Sequence, residues 1–274
     1  MNGENLMGAI TLKYEKMALH LESLYRRFNK RELVAPDPLQ FLYGWESPRD
    51  AEIVGLIASS LAYGRVAMIL RSISAVLEPM GHSPFEFVMS ESEQEWRNLY
   101  ANFKHRFTDG EDVAALLSGI QNAVTKWGSL EACFAECSSE CVSLTAALDI
   151  FIERLSLGRP NSLLALPRRG SACKRHFLFL RWMVRRDEVD VGCWRSVSPS
   201  ELLVPLDTHM YQICSALGFT RRKSADLKTA EEITECFRAL CPSDPVRYDF
   251  TLTRFGIRSD MDYQQLFGEC GADA

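Results

Sequence analysis

The chain has 274 residues, 47% of them apolar, and 31 Lys and Arg against 36 Asp and Glu give a formal net charge of −5. That is enough apolar sequence for a sizeable core in one large domain or two small ones. The acidic balance excludes a protein that coats nucleic acid through a general positive field, so any polyanion site must be local.

Apolar residues recur at helical spacing almost throughout, and alternating runs of β-branched residues are nearly absent, so the pattern predicts an all-α chain. In chain order the expected helices cover 12–29, 49–62, 65–79, 110–127, 129–138, 143–156, 171–186, 208–217, 228–240 and 245–256. Breaks fall at "VAPDP", "MGHSPF", "LGRPNS", "SVSPSE" and "CPSDP", each with a proline or glycine where a helix must stop. There is no solenoid-period repeat and no low-complexity segment. The expected organisation is a single unit over 1–257 with a C-terminal tail over 258–274.

The N-terminal "MNGENLMGAITLKYEKMALH" is charged and amphipathic, without the apolar stretch of a secretory signal. No apolar run approaches the roughly 18–20 residues that span a bilayer. The nine cysteines, odd in number and scattered, then read as reduced thiols of a cytoplasmic protein. Cys133, Cys137 and Cys141 drift around a helix and bring no fourth ligand, so they read as small packing residues and no metal is expected.

Chemistry concentrates in "LPRRGSACKRHFLFLRWMVRR". From Arg168 to Arg186 it carries Arg168, Arg169, Lys174, Arg175, Arg181, Arg185 and Arg186 without one carboxylate. On a helix Lys174, Arg181 and Arg185 share a direction, whereas Phe177, Leu180 and Val184 face the core. Cations without local partners suit phosphates, so this face is expected to contact a polyanion. Gly170 and Ser171 form the turn before the helix, where free backbone N–H groups can also hold phosphate. Further on, in "VPLDTHMYQICSALGF", Asp207 stands where an N-cap belongs, ahead of an apolar stripe at Met210, Ile213, Cys214 and Leu217. His209 reads as a half-buried histidine.

A glycine turn, a helix carrying a lysine, and a later helix capped by "LDTH" together resemble the helix-hairpin-helix DNA glycosylase superfamily, in motif nearest its 8-oxoguanine glycosylase/lyases. More broadly, "EIVGLIASSLAYGRV", "GSACKR", "LRWMVR", "PLDTHM" and "DPVRYDFTLTRFGI" look like a bacterial family of conserved hypothetical proteins assigned to that superfamily, over roughly residues 20–257. The resemblance implies a two-lobed all-α glycosylase-like fold, with the middle of the chain as one lobe and the N- and C-terminal helices as the other. It implies base excision on double-stranded DNA carrying a damaged base, with Lys174 as a Schiff-base nucleophile, Asp207 as its essential carboxylate, and no cofactor. DNA contacts are then expected from Arg168, Arg169, Gly170, Ser171, Arg175, Arg181 and Arg185. Tyr63 and Arg65 are candidates to wedge into the duplex, and a monomer is expected.

The sequence departs from that pattern at several points. Arg168 stands where the hairpin's first glycine would be, the lysine lies two residues beyond the register position held here by Ala172, and Asp207 follows Lys174 by 33 residues. After "RFGI" only Cys270 remains, too few thiols for an iron–sulfur cluster. A DNA-binding or adaptor protein of the same fold without chemistry, and an enzyme acting on a free nucleoside or nucleotide, remain as alternatives.

Overall fold

Side-chain caps and prolines set the helix boundaries. Ser47, Ser83, Ser92, Asp109, Ser129, Ser143, Asp207 and Asp226 each accept from a backbone N–H in the first turn of the helix that follows. The computed structural model describes residues 3–257 and Leu266, with side chains from residue 15. The rest of the predicted tail lies outside the described residues.

The helices are α1 (Gly3–Phe28), α2 (Pro48–Ser60), α3 (Val66–Leu77), α4 (Pro84–Ser90), α5 (Glu93–Leu99), α6 (Gly110–Trp127), α7 (Leu130–Ser139), α8 (Leu144–Ser156), α9 (Lys174–Val184), α10 (Thr208–Ala216), α11 (Leu227–Leu240) and α12 (Asp249–Ile257). The all-α expectation holds, and most predicted boundaries fall within a few residues. Three short elements escaped the periodicity: α4, α5, and a two-stranded antiparallel ribbon of β1 (Lys104–His105) and β2 (Thr108–Asp109). Two-residue strands and seven-residue helices are too short to display a period.

The helix predicted over 171–186 is trimmed at both ends. Cys173 adopts a left-handed conformation at φ 44°, and Ser171 pairs in a bridge with Asp226, so the first turn begins at Lys174. At the other end the chain folds straight back, and the Gly192 and Trp194 N–H groups donate to the carbonyls of Trp182 and Met183. Gly192, at φ 57°, lies so close to the Arg185 carbonyl that a Cβ would stand 2.4 Å from its oxygen.

One apolar cluster runs from Met17 to Leu266. Helix α2 is buried on all sides from Asp50 to Ser60 and crosses α9, where Gly55 lets the Met183 side chain approach its backbone. Helices α6, α7 and α8 pack together, α10 packs on α12, and α1 meets α11 and α12. Phe134, Phe151, Phe179 and Trp194 form an aromatic group beside α7. Beneath them the buried Glu52 accepts from the Leu130 and Glu131 N–H groups and from Trp194 Nε1. Burial pushes its carboxyl up to about 7 against the pull of those donors. Cys133 and Cys137 are buried free thiols, in keeping with packing, and no metal-binding group of side chains occurs among the described residues. No described helix is long and apolar enough to cross a membrane.

Candidate active site

Two helix N-termini converge on one point. Lys174 is the first residue of α9, and Asp207 is the N-cap of α10, where its Oδ1 accepts from the Met210 N–H at 2.9 Å. Across the gap, Lys174 Nζ lies 3.1 Å from Asp207 Oδ2. The two sequence-predicted residues therefore meet, and the predicted cap is present. Burial raises the Asp207 carboxyl, but the Lys174 ammonium, the Met210 N–H and His209 outweigh it and hold it below the usual aspartate value. Both helix dipoles present their positive ends here, which also favours the carboxylate.

The pair opens into a cavity of about 390 Å³. Tyr63, Val66 and Leu178 supply apolar wall, while Asp37, Asp249 and Arg254 supply polar wall. Helix α12 passes close above α10 because residue 256 is glycine: a Cβ there would stand 2.8 Å from His209 Nδ1. His209, half-buried as expected, lines the same cavity.

The cationic face is corrected. Arg181 and Arg185 are not a phosphate-contacting surface, since their side chains are 4% and 3% exposed. Arg181 binds Asp190 and Asp249, and Arg185 binds Asp187, Asp190 and Asp244. The carboxylates missing from 168–186 follow at once in "DEVD" (187–190), which folds back onto α9. Arg175 is also corrected: it turns inward and donates to the Ser60 carbonyl at 2.8 Å and the Ser162 carbonyl at 3.0 Å. Its guanidinium lies 5.0 Å from the centre of the Tyr63 ring. Burial lowers its pKa, yet a guanidinium keeps its proton at neutral pH. Arg175 is a clamp between segments rather than a DNA contact.

The exposed part of the prediction is the turn. Arg168, Arg169, Gly170 and Ser171 are all at the surface. Arg168 pairs with Glu153 at 2.5 Å and its N–H donates to Asp149, while Gly170, left-handed at φ 82°, accepts from Leu227 N–H. Arg65 is exposed at the N-cap of α3, flanked by the cavity residues Gly64 and Val66.

Tyr63 is fixed in the cavity wall and cannot serve as a free wedge. Its hydroxyl donates to the His105 carbonyl at 3.0 Å and lies 2.6 Å from Thr108 Oγ1. Phe107, at the tip of the β1–β2 ribbon, stacks on the Tyr63 ring at 5.0 Å and is 61% exposed. Sequence reading missed Phe107 and missed Asp37, Asp249 and Arg254. For the last two a signal existed, because "YDFTLTRFGI" sets an aspartate and an arginine in an otherwise apolar helix.

A family model described as "Protein of unknown function (DUF2400)" matches residues 37–258, which span every cavity residue except Pro36. The chain belongs to the DUF2400 family. No curated protein and no solved structure matches the chain. Family membership names no reaction, so the functional reading rests on the cavity and its side chains.

Proposed function

We propose that this DUF2400 protein is a DNA glycosylase with lyase activity, built on the two-lobed helix-hairpin-helix glycosylase plan. The observation that carries the reading is the 3.1 Å contact of Lys174 Nζ with Asp207 Oδ2 at the mouth of a cavity large enough for an everted base. A helix (α8), a Leu-Pro turn with left-handed Gly170, and a second helix that opens on the lysine agree with a hairpin.

In the proposed reaction Asp207 takes a proton from the Lys174 ammonium. The freed Nζ lone pair bonds to C1′, the glycosidic C–N bond breaks with its electron pair on the base, and the base recovers that proton. A proton then passes from Nζ to O4′ as the C1′–O4′ bond breaks and the sugar ring opens, which leaves a protonated imine between Nζ and C1′. The Asp207 carboxylate then takes a C2′ proton as the C3′–O bond breaks and the 3′-phosphate departs, which completes strand cleavage. Asp207 also stabilises the positive charge that develops on the sugar. The side chains of Arg168, Arg169 and Arg65 supply phosphate contacts, whereas the turn N–H groups of Arg168, Arg169 and Gly170 are taken by Asp149, Leu166 and Pro167. Phe107 takes the wedge role expected of Tyr63, since an exposed ring fixed against the cavity wall can stack on a neighbouring base.

Borohydride should trap a covalent complex between the wild type and abasic or 8-oxoguanine duplex. Lys174→Arg and Lys174→Gln should give none, because a guanidinium or an amide cannot form the imine. Trapping that survives both substitutions moves the nucleophile elsewhere. Duplex binding without trapping or base release on any lesion leaves a non-catalytic DNA-binding protein of the same fold.

The inward turn of Arg175, Arg181 and Arg185 favours a second reading, an enzyme on a free nucleoside, because it shrinks the exposed cationic surface. Salt separates the two. A duplex substrate is lost steeply between low and physiological salt, whereas a neutral nucleoside is not.

A further inference from the structure

The polar wall of the cavity is unfinished. Asp249 and Arg254, both on α12, have side chains 3% exposed, and each uses one part of its polar group. Asp249 Oδ2 accepts from Arg181 Nη1, and Arg254 Nη2 donates to Asp37 Oδ2 at 2.7 Å. Asp249 Oδ1 and Arg254 Nε have no hydrogen-bond partner. Buried donors and acceptors are almost always paired, so one free acceptor and one free donor on two side chains that line the same cavity require an explanation. The other unpartnered buried side-chain atoms among the described residues belong to Asn29, Ser60, Trp96, Trp182, Ser215 and Thr251, none of which lines this cavity.

Charge decides what kind of group would satisfy them. Around the cavity Lys174 is matched by Asp207, Arg254 by Asp37, and Arg181 by Asp249 and Asp190, which leaves no spare cation for a phosphate or carboxylate. The occupant is therefore polar and not an anion, with at least one N–H and one acceptor atom. Leu178 and Val66 offer apolar wall against which a flat ring packs.

Resting on the glycosylase reading, we propose that Asp249 and Arg254 are the residues that select the base: a neutral nucleobase donates an N–H to Asp249 Oδ1 and accepts from Arg254 Nε. Burial raises the Asp249 carboxyl, and an N–H donated by the base stabilises its charged form. The same pair makes the site indifferent to an abasic sugar, which brings no base to satisfy either atom.

Two substitutions test this in the full chain. Arg254→Lys keeps a cation for Asp37 and puts a methylene where Nε–H was. Asp249→Asn keeps the shape, but Arg181 holds the amide oxygen and turns the NH₂ toward the cavity, so an acceptor becomes a donor. For each variant, base release from 8-oxoguanine and uracil duplexes is compared with borohydride trapping on an abasic duplex, after a thermal melt establishes folding. Base release should fall about 100-fold more than trapping, as expected when a buried partner of the substrate is removed. Release and trapping that fall together, or neither falling, would overturn the assignment, and if Asp249→Asn fails to fold Arg254→Lys carries the test. A wild type that neither traps nor releases any base defeats the glycosylase reading itself. The selecting pair is then judged by NMR titration of guanine and uracil: binding by the wild type that Arg254→Lys loses supports it, and no binding by the wild type sinks it.

Discussion

The two ends of α9 use cations in opposite ways. At its first residue Lys174 is one-third exposed and faces one carboxylate across an open cavity. Two and three turns later Arg181 and Arg185 are sealed among Asp187, Asp190, Asp244 and Asp249. An ammonium is a compact point charge with three rotatable donors, which one carboxylate at a cavity mouth can meet. A guanidinium stays charged and makes several hydrogen bonds in a fixed plane, which suits a buried junction between α9, the 187–190 turn and α12. A run of positive sequence is thus not one surface with one purpose.

The largest effect should come from the sealed end. Arg185→Met leaves Asp187 and Asp244 without their cation and Asp190 with Arg181 alone, and loss of one partner from a buried network costs about 3–5 kcal/mol. Urea melts that show a loss below about 1 kcal/mol would mean the cluster does not hold these segments together. Next comes a buried carboxylate with donors but no cation. Glu52→Gln sets an NH₂ against either the Leu130 N–H or the N–H groups of Glu131 and Trp194, which share the two carboxylate oxygens, and should cost about 1–3 kcal/mol. With its folded-state value raised to about 7 from 4.5, Glu52 holds an extra proton in the native state over that interval. Its contribution to stability therefore declines as pH rises from about 4.5 to 7, and Glu52→Gln should remove that slope.

The open end should respond weakly in stability and strongly in chemistry. Lys174→Gln and Asp207→Asn should each stay within about 1 kcal/mol of wild type, because the pair is partly solvated and asparagine caps about as well as aspartate. Lys174→Gln should at the same time abolish trapping. Because the Asp207 carboxyl is held below its ordinary value of 3.8, its stabilisation is present above that pH and is lost as pH falls toward the folded-state value. Acid melts of Asp207→Asn should be flatter below about pH 4 than those of wild type. Smallest of all, Arg168→Ala removes an exposed pair with Glu153 and should leave the urea midpoint of unfolding unchanged. If the turn meets DNA, that variant should lower the salt slope of duplex binding by about one; an unchanged slope would remove Arg168 from the interface.

What the sequence by itself determined was whatever depends on residues a few positions apart. Helical class, the stops at proline and glycine, and the cap at Asp207 follow from periodicity and from hydrogen bonds that close within one turn, and they stand as read. The pairing of Lys174 with Asp207 came from motif resemblance, since no local rule links residues 33 apart. Tertiary structure alone decided what each side of α9 faces. Helical spacing placed Arg181 and Arg185 in one direction but could not say whether water or four aspartates lay there, and Asp249 reaches Arg181 from 68 residues away. Arg175 found two carbonyls, Tyr63 became a wall with Phe107 stacked on it, and α12 brought Asp249 and Arg254 to the cavity. Burying a cation requires partners whatever their distance along the chain, and the packing of distant segments decides where those partners stand.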